Sequence, residues 1–432
     1  MALGGGTFTT QNKVLPGSYV NIISASRASA TISDRGYAAV PLVLDWGNDT
    51  DIITVTAEDF YSKSLKIFGH PYTADTLKPL RDLFLGARTA YLYRVNGGGV
   101  KAANTYATAL YSGLRGNDLK IIIADNAAST VQNPIYDVST VIDTTVVDTQ
   151  TVTGAAQLKN NAWVEFKSAP LAITAGVPLT GGTNGTISNA KYQEFLDKIE
   201  SYSFNTLGCP SDDVTLKALF VNFTIRMRET VGLRFQCVVH KHEAADHESI
   251  ISVDNNATPE LIYWVTGASA GCAINASLTN KIYTGEYDIN TNYTQTDLET
   301  NIRNGLFTFH RVSDTIRVLD DINTFTSFAE NKGSIFANNQ TVRITDQIAN
   351  DIAVLFNDKY LGAIPNDESG RVSLWSDIVS YNRALERIRA IEDFQPDTLK
   401  VEQGETKESV VVSNYITIIN AMTRLYMTVI VA

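Results

Sequence analysis

The chain has 432 residues, 44% hydrophobic and 19% charged, with a formal net charge of −11 at pH 7. These values predict a globular protein of roughly two to four domains with sizeable cores. The acidic balance argues against nucleic acid as the main partner, since phosphate recognition needs a basic surface. Three cysteines, Cys209, Cys237 and Cys272, are odd in number and widely spaced. That pattern argues against a disulfide framework or a zinc site and fits apolar fillers in a chain made in a reducing cytosol.

Along the chain, MALGGGTFTT lacks the basic and apolar regions of a secretory signal, and no run of about 18 apolar residues predicts a membrane span. Gly4-Gly-Gly6 belongs to a flexible tail over residues 1–13. Val14 to Ser24 reads as an extended arm, because Pro16 and Gly17 forbid a helix and Tyr19 to Ile23 is rich in strand formers. Residues 37–96 alternate strand and helix signals: strands at Tyr37–Leu44, Ile52–Thr56 and Ala90–Val95, a helix over 75–86, and Thr56 as an N-cap with Asp59 in the first turn. Asn96-Gly-Gly-Gly99 is a break in which flexibility is the expected role.

Residues 117–180 lose helix signals. Ile121–Ile123, Val138–Val147, Thr151–Thr153 and Trp163–Phe166 are short β runs between turn residues, an all-β module. A second Gly-rich break lies at 180–185, so the module reads as inserted into an α/β chain. A helix follows over Ser188–Glu200, with Tyr192, Phe195, Leu196 and Ile199 at helical spacing. Then come a strand at Val214–Leu219, a helix near 220–231, and strands at Phe235–His240 and Leu261–Val265, an α/β layer. Thr341–Tyr360 and Trp375–Ile391 carry apolar stripes of long helices, and strands return at Ser409–Val412 and Ile416–Ile419.

The last eight residues, Leu425 to Ala432, are unusual for a chain end. As a strand, Leu425, Met427, Val429 and Val431 share one face and Tyr426, Thr428, Ile430 and Ala432 the other, so both faces are mostly apolar. Burying about six such side chains at about 2 kcal/mol each yields about 12 kcal/mol. Ordering eight residues costs about 8–16 kcal/mol. The strand therefore requires a sheet edge, in its own subunit or in a neighbour by strand addition; a second extended arm at the other terminus favours the neighbour.

Two constellations carry possible chemistry. Gly267-Ala-Ser269-Ala-Gly271 matches G-x-S-x-G, expected in a turn between strand and helix, which makes a serine hydrolase with Ser269 as nucleophile the rival reading. Only His310 follows it, and no oxyanion segment precedes it; the small residues equally suit close packing. His240-Lys-His242-Glu243 with Asp246-His247-Glu248 is the one ligand-rich stretch, and a solvated loop is its expected state. No G-x-x-x-x-G-K-[ST] loop is present. We expect no catalytic residue, no metal and no cofactor.

Several stretches together resemble tail sheath proteins of contractile phages, in particular the compact kind of Gram-positive phages and bacteriocin-like particles. They are Val14-Leu-Pro-Gly-Ser-Tyr-Val, Ser33-Asp-Arg-Gly36, Leu44-Asp-Trp-Gly47, Tyr93-Arg-Val-Asn-Gly97, Tyr111-Ser-Gly-Leu-Arg-Gly-Asn-Asp118, Leu179-Thr-Gly-Gly-Thr-Asn-Gly185, Trp264-Val-Thr-Gly-Ala-Ser-Ala-Gly271, Asp320-Asp-Ile-Asn-Thr-Phe325 and Tyr426-Met-Thr-Val-Ile-Val431. Their order and spacing carry the resemblance.

The resemblance implies a multi-domain α+β or α/β protein: an N-terminal arm (1–27), an α/β segment (28–97), an inserted β-sandwich (98–181), a subtilisin-like α/β segment (182–330), a C-terminal tube-facing segment (331–420) and an arm strand (421–432). It implies a structural subunit, not an enzyme, that polymerises helically around a tail tube and contracts to drive the tube through an envelope. The implied partners are further copies of the chain, the tail tube protein, and baseplate and tail terminator proteins, with neither nucleic acid nor membrane insertion; the implied location is a virion or phage-derived particle assembled in the host cytoplasm. Val14, Tyr19, Val20, Ile22, Leu425, Met427, Val429 and Val431 would be the exchanged strands, and Arg383, Arg387 and Arg389 a tube-contacting face. Another strand-exchanging shell protein is the remaining alternative.

Overall fold

A computed structural model describes residues 31–330 and 332–431. The expected arm at Val14–Ser24, with Val14, Tyr19, Val20 and Ile22, lies outside the described residues, as does Gly4–Gly6. The described chain forms two compact units. The larger holds Ser33–Asn350, Arg387–Glu392 and the segment from Thr417 onward; the smaller holds Asp351–Glu386 and Asp393–Ile416.

The larger unit starts with β1 (Tyr37–Leu42), β2 (Ile53–Thr56), α1 (Ala57–Phe68), α2 (Lys78–Phe84) and β3 (Thr89–Arg94). Thr56 caps α1 as its sequence suggests, its hydroxyl accepting from the Asp59 N–H at 3.1 Å. The chain then builds the β module. Strands β4 (Ala107–Ala109), β5 (Leu119–Asp125), β6 (Tyr136–Ile142), β7 (Thr145–Val152), β8 (Val164–Phe166) and β9 (Thr174–Pro178) form a four-stranded antiparallel sheet, β7-β6-β5-β9, and a two-stranded one, β4-β8. The run expected at Val138–Val147 is broken by a turn at Asp143, where φ is +52°.

After the module come α3 (Asn189–Ile199), β10 (Thr206–Gly208), α4 (Val214–Arg226), β11 (Gln236–His240), β12 (Ile250–Val253), α5 (Leu261–Gly271), α6 (Gln295–Arg303), β13 (Leu306–Phe307) and the hairpin β14 (Phe309–Val312)–β15 (Thr315–Val318). Seven strands align as β2-β3-β1-β10-β11-β12-β13. All neighbours are parallel except β2 against β3. Alternation along β1 divides the core: Ala39 joins the cluster of α3 and α4, with Phe195, Leu196 and Phe220, whereas Ala38 and Val40 join Phe60, Phe68 and Leu83 of α1 and α2. With both faces covered, the inner strands are continuous apolar runs, as in Cys237–Val239.

Two expectations are corrected here. Val214–Leu219 is the first half of helix α4, started by Asp213, whose carboxylate accepts from the Leu216 N–H at 2.9 Å. Leu261–Val265 is not a strand, and Gly267–Gly271 is not a turn; both lie in α5, which is buried over nearly its whole length. A Cβ on Gly267 would sit 2.0 Å from the Leu83 carbonyl oxygen, and one on Gly271 2.0 Å from that of Gly86. The glycines let α5 press against the end of α2.

The third correction concerns the break at Asn96–Gly99, where flexibility was the expected role. A Cβ on Gly99 would stand 1.9 Å from the Thr183 carbonyl oxygen, and one on Gly185 2.0 Å from that of Gly97. These glycines hold two backbone segments in close contact.

Helix α7 (Asn339–Leu355) follows, and most of α8 (Glu368–Arg387) belongs to the smaller unit. Within the smaller unit the buried Tyr381 hydroxyl donates to Asp351 at 2.7 Å, and the Trp375 indole donates to the Leu399 carbonyl at 3.1 Å. Strand β16 (Ile391–Glu392) returns to the larger unit; β17 (Lys400–Gln403) and β18 (Val410–Ser413) form an antiparallel hairpin in the smaller. Finally β19 (Thr417–Ile418) pairs with β16. No helix among the described residues is long and apolar enough to cross a membrane.

Candidate assembly surfaces

The chain end is fastened up to Ala421. Gln340 donates to the Ile419 carbonyl at 3.1 Å and accepts from the Ala421 N–H at 2.9 Å, and Asn420 and Thr341 join side chains at 3.2 Å. Beyond that, Met422–Val431 has no secondary structure and, among the described residues, no hydrogen-bond partner. Leu425 is 85% exposed and Val431 89%, with Met427 and Val429 similarly open. The expected apolar end is present, but it forms no strand in its own subunit.

A surface able to receive such a segment is the β17–β18 hairpin. It is a two-stranded sheet, so each strand leaves one edge without a ladder partner among the described residues, and Val411 and Val412 are exposed. The expected strand at Ser409–Val412 corresponds to β18, whereas its partner β17 was not expected; its signal is Val401 alternating with polar residues ahead of Gly404.

Arg383, Arg387 and Arg389 are all exposed, but they do not form one stripe on a helix. Arg383 pairs with Glu386 at 2.9 Å and lies over the Phe394 ring at 5.6 Å. Arg387 closes α8, and Arg389 lies past it with φ at +61°.

Ser269 is fully buried within α5, and its hydroxyl has no hydrogen-bond partner among the described residues. A triad nucleophile needs a histidine within hydrogen-bond reach, and His310, on β14, is not there. We expect a fluorophosphonate probe to leave Ser269 unlabelled in the native protein; mass-spectrometric detection of an adduct at Ser269 would revive the hydrolase reading.

The histidine-rich stretch does not assemble into one cluster. The His240 ring is buried at the end of β11, engaged by the Asp212 carboxylate on one nitrogen and 3.3 Å from the Asn255 carbonyl on the other. The His242 backbone N–H donates to Ser252 at 2.8 Å. His247 does meet Glu229 and Glu248, their ligand atoms lying within 4.8 Å of one another. Yet Glu248 already takes Arg228 at 3.1 Å and Lys332 at 2.5 Å, two cations that disfavour a metal there.

Sequence families match almost the whole described chain in consecutive blocks. They are the tail sheath protein Gp18 domain III N-terminal region (residues 35–95), the phage tail sheath protein beta-sandwich domain (97–184), the phage tail sheath protein central domain (185–324) and the phage tail sheath C-terminal domain (331–432). The chain is 29% identical to the phage-like element PBSX protein XkdK of Bacillus subtilis, covering 99% of both chains. A sheath tail protein from Desulfitobacterium hafniense superposes with a TM-score of 0.83 at 33% identity, covering 94% of this chain and 98% of that one. The contracted helical sheath of the anti-feeding prophage shares the fold, with a TM-score of 0.56 at 11% identity over 96% of this chain and 99% of that one. With four sheath domains in order along its length and a sheath tail protein so similar over nearly all of it, the chain belongs to the phage tail sheath protein family and is a structural sheath subunit.

Proposed function

We propose that this subunit polymerises helically around a tail tube by passing its chain end to a neighbouring copy, and that the resulting sheath contracts to drive the tube through an envelope. One observation carries the reading: an apolar segment of strand-forming residues, Met422–Val431, stands open to solvent beyond a fastened Ala421. An exposed apolar segment of this kind marks an interaction site, and main-chain pairing at a sheet edge would satisfy its backbone. The β17–β18 hairpin of the next copy is the edge we assign to it, with the 14–24 arm making the reciprocal link. Bodies joined by such strands could change packing without separating, and two packings differing by a few kcal/mol suffice for a switch.

The order β2-β3-β1-β10-β11-β12-β13, an open and almost wholly parallel sheet, supports the subtilisin-like topology for the body. A sheath subunit is not expected to be an enzyme, and the buried Ser269 is consistent with that. The proposed partners are other copies of the chain, the tail tube, and baseplate and terminator proteins. The proposed place is a virion or phage-derived particle built in the host cytoplasm.

Negative-stain images of the overexpressed protein test this reading. Hollow tubes of helical symmetry are expected; flat arrays would favour another kind of shell. Arg383, Arg387 and Arg389 remain the proposed tube contact, where complementary charge would fix register. Charge reversal at Arg383 and Arg387 together is expected to prevent assembly on tubes while leaving the subunit folded, and contractile particles of normal yield from that double variant would contradict it.

A further inference from the structure

The attachment of the β module to the parallel sheet is built as a lock, and its centre is Arg94. This side chain, at the end of β3, is fully buried. Its guanidinium donates to the Leu44 carbonyl at 3.0 Å and the Gly47 carbonyl at 3.2 Å on the sheet side. On the module side it donates to the Ser112 carbonyl at 2.7 Å and the Asn184 side-chain oxygen at 3.3 Å. Arginine suits this post because its planar fork presents several fixed donors at once. Asp49 adds a second tie, accepting from the Gly98 N–H at 2.9 Å and the Ser112 hydroxyl at 2.7 Å.

Packing repeats the pattern. Trp46, which follows β1, stacks on Trp163 of the module at 5.6 Å and meets Tyr111 edge-on at 5.4 Å. Arg115 of the module donates to the Gly69 carbonyl behind α1 at 2.8 Å. The two segments that join module and sheet pair with each other: Val100 N–H with the Thr183 carbonyl at 3.1 Å, Thr183 N–H with that of Val100 at 3.0 Å, and Gly185 N–H with that of Asn96 at 2.9 Å. At Gly113 a Cβ would lie 1.9 Å from the Asp45 carbonyl oxygen.

From this we infer that the β module and the seven-stranded sheet are one rigid body coupled through Arg94, so that a force on the module reaches the sheet of the same subunit without a hinge. Glycine-rich connections usually permit motion; here they permit backbone approach, and close-packed interiors transmit strain. The consequence for a contracting sheath rests on the polymer reading above, but the lock itself does not.

Hydrogen–deuterium exchange on the dispersed subunit tests it. In the wild type, the amides of Val100, Thr183 and Gly185 are expected to exchange about 100-fold or more slowly than free-loop amides, as in the β3 strand. Gly99→Ala, which crowds Thr183, is expected to release that protection and expose residues 97–99 and 181–185 to limited proteolysis. Gly181→Asn is expected to change neither, since Gly181 has open space around it and a positive φ that asparagine tolerates. Free-loop exchange in the wild type, or identical behaviour of the two variants, would overturn the lock. If Gly99→Ala does not fold, the wild-type rates decide alone. Protected junction amides in a protein that never polymerises would uphold the lock and refute only the assembly reading.

Discussion

Ending the chain after Ala421 is expected to abolish polymerisation and leave the subunit folded. The truncation keeps both hydrogen bonds between Gln340 and the segment at 419–421 and removes only residues that cover nothing within the described subunit. Loss of exposed, unpacked residues alters stability by about 0.5 kcal/mol or less, which in a domain this large moves the melting midpoint by about 1–2 °C. Association should respond far more. About six apolar side chains, each contributing roughly 2 kcal/mol when buried, oppose an ordering cost of similar size, so in the proposed assembly the net gain would rest on ladder bonds to a neighbour's edge. Losing even about 3 kcal/mol per contact raises the concentration needed for association by about 100-fold, and every subunit in a helix makes the contact. Sedimentation and calorimetry on the truncated chain check the two halves. A proline at Val429 should act in the same direction, because proline cannot donate to a ladder.

Asp321→Asn is expected to be the most damaging single change in the larger unit, costing about 3–5 kcal/mol. Asp321 is completely buried; its carboxylate accepts from Arg343 at 2.5 Å, from the Leu278 N–H at 2.8 Å and from Asn339 at 3.0 Å. Arg343 is buried too: its Nη2 makes the bond to Asp321 and a second to the Ala276 carbonyl at 3.0 Å, while its Nε and Nη1 have no hydrogen-bond partner among the described residues. The substitution leaves an arginine charge in the core without its counter-charge, whereas replacing both residues by apolar ones of similar volume is expected to recover most of the loss. Burial works to raise the Asp321 carboxyl pKa, but the Arg343 charge and the hydrogen bonds outweigh it and hold the value below the ordinary aspartate range. The stability this group supplies is therefore present above the ordinary aspartate range and is lost as pH falls through the lowered value. Thermal unfolding of the single and double variants, at neutral pH and in acid, measures both effects.

What could be read from the sequence was what local chemistry decides. The cap at Thr56, the helix carrying Tyr192, Phe195, Leu196 and Ile199, and the apolar stripe of α7 follow periods that any single element must obey. The α5 error has the opposite origin. Leu261-Ile-Tyr-Trp-Val265 belongs to a helix buried on nearly all sides, which has no polar face to mark its period, and a short apolar run reads equally well as a strand. Val214 and Thr215, both β-branched, hid the start of α4 although Asp213 signalled it. Helix α6 starts at a capping box, Thr294 with Asp297, a signal that local sequence alone carries. The Gly-rich breaks misled for a different reason: a glycine kept for close approach and one kept for motion look identical until the backbone facing it is known. For the proposed assembly surface, the apolar segment at 425–432 was legible because large apolar residues occupy both of its faces as a strand. The edge assigned to receive it was not, since β17 and β18 become an open hairpin only through pairing across Gly404–Ser409.

The most direct measurement compares amide exchange at Met422–Val431 in dispersed subunits and in the polymer. We expect free-loop exchange in the dispersed protein and strong protection, about 100-fold or more, once tubes form. Protection already complete in the dispersed subunit, or a segment as open in tubes as in solution, would contradict the claim that the chain end completes a sheet in the next copy.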